Sequence, residues 1–170
     1  MMIIQILNVL EVLDLVEKSK PTLYIFLDVD GVLNNVATFS LSDDGVLALS
    51  EECLFNYQYL VNKLRQKYEV KVILSSTWRY NKKGFNKLKE YEDRYDALKL
   101  YDSTPISYDH RKEEIKAYCN KNKIEYKDIL IIDDDFMGNE LKYRSIRTDS
   151  FDGLKFSDVQ KCLVNMFGWE

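Results

Sequence analysis

Hydrophobic and polar positions divide this chain into two kinds of segment. Residues 22–29 (TLYIFLDV), 69–76 (EVKVILSS) and 128–135 (DILIIDDD) are nearly continuous apolar runs that end in polar residues. Such runs, without alternation, predict strands covered on both faces, as in the centre of a parallel sheet. Between them the period lengthens. Over 51–67, Leu54, Tyr57, Leu60, Val61 and Leu64 recur at helical spacing. A helix is predicted over 110–122, with Asp109 as its N-cap and Ile115, Tyr118 and Cys119 facing inward. An amphipathic helix over 157–167 has Ser157 as its expected cap. Residues 86–98 are polar with a weak helical period, KLYDST (99–104) reads as a short strand, and YRSIRTD (143–149) as another. Strands that alternate with helices imply an α/β fold: one Rossmann-like, doubly wound domain over 21–170 around a mostly parallel sheet.

The first twenty residues follow a different rule. Apolar pairs recur every third position, from Ile3-Ile4 to Leu15-Val16. At ~100° per residue, three residues fall ~60° short of a turn, so the apolar stripe winds around the helix. Such a helix needs cover on more than one side, either from the domain or from a second copy in a homodimer. Glu11 and Asp14 interrupt it, and it lacks the basic start of a secretory signal. No run reaches the ~18 apolar residues of a membrane span.

Composition narrows the function classes. Apolar residues make up 46% and charged residues 31%, as in a soluble globular domain. A formal charge of −4 argues against holding nucleic acid by bulk electrostatics and leaves room for a local basic patch. Cys53, Cys119 and Cys162 are far apart, no CxxC occurs, and there is one histidine, which disfavours a zinc site. Buried thiols in a reducing cytoplasm are the expectation.

The chemistry gathers at strand ends. Asp28 and Asp30, at i and i+2, point the same way about 6.6 Å apart if extended, and Gly31 permits the chain to curl just after them. Asp133, Asp134 and Asp135 end another apolar run. Two like charges ~4 Å apart repel by about 4 kcal/mol at an effective dielectric of 20. Carboxylates that converge therefore need a cation or protons, and an all-oxygen set favours magnesium over zinc. DVDG alone also fits an ordinary turn, or a calcium loop whose later ligands are missing. Ser75 ends the second apolar run, where its hydroxyl suits either a phosphoryl oxygen or a helix cap. Arg111 and Lys112 stand at a helix start, against the helix dipole, which is explained by a bound phosphate or by simple exposure.

FLDVDGVLN, VILSSTWR, RKEEI and ILIIDDD resemble, in order, the motifs of the haloacid dehalogenase (HAD) superfamily of phosphohydrolases. LSSTWR and TDSFDGL (148–154) are similar to one branch, the HAD domain linked with modular "Swiss army knife" RNA-repair proteins. The resemblance implies that Asp28 is a nucleophile that becomes an aspartyl-phosphate. It implies that Asp30 is the acid and then the base, that Ser75 binds the phosphoryl group, and that Arg111 or Lys112 neutralises it. Mg2+ would be held by Asp28, the carbonyl of Asp30, and Asp134, with Asp133 in support. Gly31, Ser76 and Arg79 are expected to contact substrate. Because Trp78 and Arg79 belong to the branch signature, the alternative is a structural role, Trp78 in packing and Arg79 as a lid or in an ion pair. The gaps 32–70 and 80–110 are too short for a large cap domain, so the resemblance implies a capless or minimally capped, open site. That suits an RNA or DNA end, a nucleotide or another phosphorylated partner.

WRYNKKGFNKLK (78–89) interleaves aromatics with Arg79, Lys82, Lys83, Lys87 and Lys89, a composition that suits a single strand or a solvated helix. Other targets compatible with the same chemistry are a phosphoprotein or a small metabolite. A receiver-like signalling domain has its acid pair after the first strand and its phosphorylated Asp after the third, which is not the order here. A catalytically silent interaction module is the remaining alternative.

Overall fold

The computed structural model describes residues 20–39, 48–106 and 110–169. Five parallel strands form one sheet in the order β3-β2-β1-β4-β5: β1 (Thr22–Leu27), β2 (Glu69–Leu74), β3 (Leu100–Ser103), β4 (Ile129–Asp133) and β5 (Ser145–Arg147). The helices are α1 (Val36–Phe39), α2 (Glu51–Leu64), α3 (Lys82–Glu92), α4 (Arg111–Asn122), α5 (Gly138–Leu141) and α6 (Phe156–Phe167).

Alternation along the strands explains both faces. Leu23, Ile25 and Leu27 of β1 join Val72, Leu74, Leu130 and Ile132 beneath α2, α3 and α6. Phe26, Ile73, Ile129 and Ile131 point the other way, against Ile115, Tyr118 and Cys119 of α4 and Leu141 of α5. Each fully buried Leu or Ile stabilises the fold by roughly 1.5–3 kcal/mol, so a strand with two covered faces has no polar position to spare. The cysteines are free and buried. No helix among the described residues is long and apolar enough to cross a membrane.

Several helix starts differ from expectation. The polar helix runs over Lys82–Glu92 rather than 86–98, because the Asn81 side chain accepts from the N–H groups of Lys83 and Gly84 and sets its start. Residues Asp96–Leu98 form a separate 3-10 turn. Helix α6 begins at Phe156, so Ser157 lies inside its first turn, which Asp158 closes by accepting from the Lys155 N–H at 3.2 Å. His110 occupies the N-cap position of α4. The predicted cap Asp109 and all but the end of the predicted helix over 1–20 lie outside the described residues.

The gap between β2 and α4 is filled by α3, the 3-10 turn and β3, which are themselves layers of the fold. From β1 the chain steps outward through β2 to β3, then returns to β4 on the other side of β1. That reversal opens a crevice between β1 and β4 at the carboxyl edge, where ligands bind in sheets of this kind.

Candidate active site

Register brings the site together. Leu27 pairs with Leu74 on one side and Ile132 on the other. The next residues, Asp28, Ser75 and Asp133, therefore lie side by side. The Asp28 N–H donates to the Ile132 carbonyl at 3.0 Å, and the Ser75 N–H to Leu27 at 2.8 Å. Asp28, Asp133 and Asp134 each offer one carboxylate oxygen, all within 4.8 Å of one another. From the start of α4, Arg111 Nη1 reaches 3.0 Å from Asp28 Oδ1 and 3.6 Å from Asp133 Oδ2.

This concentration of charge is buried. Asp28 and Asp133 expose 4% and 1% of their surface. Burial lifts the pKa of both above the usual carboxylate range, and Arg111 only partly offsets it. The charge of Asp28 raises Asp133 further. Burial also raises Asp134, with Asp135 adding to it. Burial works against the charge of Arg111, yet Asp28 and Asp133 hold its pKa above the ordinary value.

Two buried oxygens at the centre, Ser75 Oγ and Asp133 Oδ2, have no hydrogen-bond partner. Unsatisfied groups of this kind are rare in folded proteins and call for a ligand or an ion. The donor set is all oxygen, which fits a hard dication. Gly31 makes the approach possible. Its φ is +70°, and a Cβ there would lie 2.5 Å from Asp134 Oδ2. Magnesium therefore fits the residues present.

Asp30 is not one of this trio, though its charge acts on Asp134. It accepts from Asn34 Nδ2 at 2.8 Å and from the indole Nε1 of Trp78 at 3.0 Å to each oxygen. Asn34 also accepts from the Gly31 N–H at 2.8 Å, and Thr148 Oγ1 donates to the Gly31 carbonyl at 2.7 Å. The loop after β1 is thus fixed by its own asparagine, by the residue after β5 and by a tryptophan after β2.

The family model for the HAD domain in Swiss Army Knife RNA repair proteins matches residues 24–159. The chain belongs to this family. No curated protein matches the chain. Among solved structures, a hypothetical protein from Xanthomonas campestris is 15% identical, with 87% of this chain and 84% of that chain covered and a TM-score of 0.46. Membership makes the chain a HAD-type hydrolase domain.

In this HAD domain the expected residues fall into three groups. Asp28, Ser75, Arg111, Asp133 and Asp134 converge. Asp30 stands beside them with its carboxylate engaged by Trp78 and Asn34. Of the remaining residues, Gly31, Ser76 and Arg79 have partners within the protein. Gly31 has its N–H and carbonyl occupied by Asn34 and Thr148. Ser76 is fully buried, accepts from the Trp78 N–H at 3.3 Å and hydrogen-bonds Asp28. Arg79 is committed to a buried ion pair with Glu114 at 2.6 Å and to the Ser76 carbonyl at 2.5 Å. Lys112 lines a cavity with His110, Phe136 and Arg147.

The TDSFDGL segment acts as a buttress. The Leu154 N–H donates to Val32, the Phe151 carbonyl accepts from Val36, and Gly153 has φ +72° where a Cβ would lie 2.6 Å from Cys53 Sγ. Sequence reasoning did not assign Asn34, Thr148 or the Trp78 contact. An asparagine three residues after the turn glycine was a usable signal for the first. The other two depend on contacts distant in sequence.

Proposed function

We propose that this HAD domain is a magnesium-dependent phosphohydrolase that works through an aspartyl-phosphate. The observation that carries the reading is Asp28, flanked by Asp133 and Asp134 and faced by Arg111, next to the orphaned hydroxyl of Ser75. Asp28, Asp133 and Asp134, with the Asp30 carbonyl, would hold the ion, which supplies positive charge to phosphoryl oxygens.

Asp28 attacks phosphorus and the bond to the leaving oxygen breaks. Asp30 gives that oxygen a proton, held in place by the Trp78 indole and Asn34. Asp30 then takes a proton from water as the water attacks the phosphoryl group, which releases phosphate and restores Asp28. Fixed placement of a weak nucleophile contributes roughly 7–11 kcal/mol. Arg111 and Ser75 stabilise the charge that gathers on the phosphoryl oxygens. Arg111 is favoured over Lys112 for this role by its 3.0 Å approach to Asp28. Nucleic-acid end phosphates and nucleotides are the substrates this reading favours. The family's link to RNA repair and the lack of room for a large cap both support them.

The test is magnesium-dependent release of phosphate from p-nitrophenyl phosphate. Asp28→Asn should abolish turnover, and Asp30→Asn should lower kcat by roughly 10²–10⁴-fold. Unchanged turnover in Asp28→Asn would remove the covalent mechanism. Unchanged turnover in Asp30→Asn would remove only its acid–base step.

A further inference from the structure

We infer that the cavity beside Arg111 seats the terminal nucleoside of a phosphorylated nucleic-acid end, with Phe136 as its stacking platform. The inference rests on the phosphohydrolase reading above and names the substituent carried by the phosphate.

The cavity measures about 400 Å³ and is lined by His110, Arg111, Lys112, Asp135, Phe136 and Arg147. That lies within the ~300–1,000 Å³ of small-molecule sites. Arg111 is also the guanidinium that faces Asp28. A phosphoryl group at Asp28 therefore has this cavity as its neighbour across a shared wall. Phe136 follows Asp134 by two residues, and the residue is 56% exposed and belongs to neither core cluster. Folding gains little from a phenyl ring in that position.

What surrounds the ring suits a nucleotide. The Arg147 guanidinium lies 6.0 Å from the ring centroid, and its Nε donates to the Asp134 carbonyl at 3.1 Å, which ties the pair to the strand end. Lys112 and His110 complete a basic wall. An exposed aromatic face beside cations is how single strands are held: bases stack on the ring and the backbone phosphate meets the charges. Asp135, the one carboxylate in this wall, can accept from a base amino group. A phosphorylated serine side chain or a bare sugar phosphate would leave the ring unused.

The test separates the base from the phosphate. Phosphate release is measured from nucleoside 3′- and 5′-monophosphates and from the matching ribose phosphates that lack a base. The wild-type domain should prefer nucleotides, and Phe136→Ala should reduce the nucleotide-to-ribose ratio of kcat/KM by roughly 5- to 100-fold, mainly through KM. Phe136→Trp should restore the ratio, and Phe136→Leu, which keeps apolar bulk, should not. A wild-type ratio near one, or a ratio untouched by Phe136→Ala, overturns the nucleoside site and leaves the phosphohydrolase standing. Failure of the wild-type domain to release phosphate from any of these esters or from p-nitrophenyl phosphate overturns the reading beneath it.

Discussion

Trp78 and Arg79 are neighbours in the chain and both side chains are buried. Phe136 and Arg147 come from different loops and both are exposed. Each pair sets an aromatic ring and a guanidinium beside the acidic strand ends, but in the first pair the indole and the guanidinium charge have partners inside the protein, Arg79 Nε alone being left without one. The Trp78 indole donates to Asp30, and Arg79 lies against Glu114, with Tyr80 hydrogen-bonded to both. At the second pair Phe136 lines the cavity and stays exposed beside Arg147. An aromatic–basic run in sequence therefore does not identify a binding surface. What identifies one is a polar or aromatic group whose partners inside the protein are too few.

The contrast is broken most severely at Arg79. Its ion pair with Glu114 is almost fully buried, with side chains 6% and 5% exposed. Removing one member of a buried pair typically costs about 3–5 kcal/mol, since the remaining charge stays desolvated. Arg79→Ala should lower Tm by roughly 6–20 °C. Phe136→Ala, at an exposed position, should move it by less than about 2 °C. Thermal melts of the two variants decide the matter. Comparable shifts would mean that Phe136 is as structural as Arg79.

Asp133 should show the opposite sign. In the metal-free protein burial raises the pKa values of Asp28, Asp133 and Asp134 above the ordinary carboxylate value. The folded state then holds more protons than the unfolded chain once pH exceeds about 3.9. Their contribution to stability is fully present below that pH and is lost as pH rises through the folded values. Asp133→Asn removes one of these charges. Without magnesium, its Tm should exceed that of the wild type by a margin that grows from pH 4 to pH 8, to about 3–6 °C. Magnesium at about one hundred times its Kd should stabilise the wild type by about 2.7 kcal/mol and narrow or reverse that margin. A margin that stays flat with pH would mean that the charge of Asp133 is as well compensated as that of Arg79.

The same distinction governs how much could be read from the chain. β1, β2 and β4 were legible because both their faces are covered, which leaves an unbroken apolar run. Helix α2 was legible because one face is buried against the sheet. Helix α3 was misplaced because it is mostly polar and its start depends on one capping side chain, Asn81. Asp28, Ser75, Asp133 and Asp134 could be placed because strand ends in a parallel sheet share one edge. Phe136 and Arg147 gave no periodic signal, since they meet only when the loop after β4 folds back beside β5.

The smallest effect is expected at the basic run over 78–89. Lys87 and Lys89 pair with Glu90 and Glu92 along α3. The Trp78 ring packs against Gly84, where a Cβ would lie 3.2 Å from it, so the aromatic of that run that bonds Asp30 is turned inward, and the Tyr80 hydroxyl is held by Arg79 and Glu114. Stacking supplies the short-range part of single-strand affinity, and charges on an exposed helix without it act weakly and are screened by salt. Lys82→Glu/Lys83→Glu should therefore change turnover of a phosphorylated oligonucleotide, relative to p-nitrophenyl phosphate, by less than about twofold at physiological salt. A selective loss of tenfold or more would move the nucleic-acid path from the β4 side of the site to α3 and reverse the contrast between the two aromatic–arginine pairs.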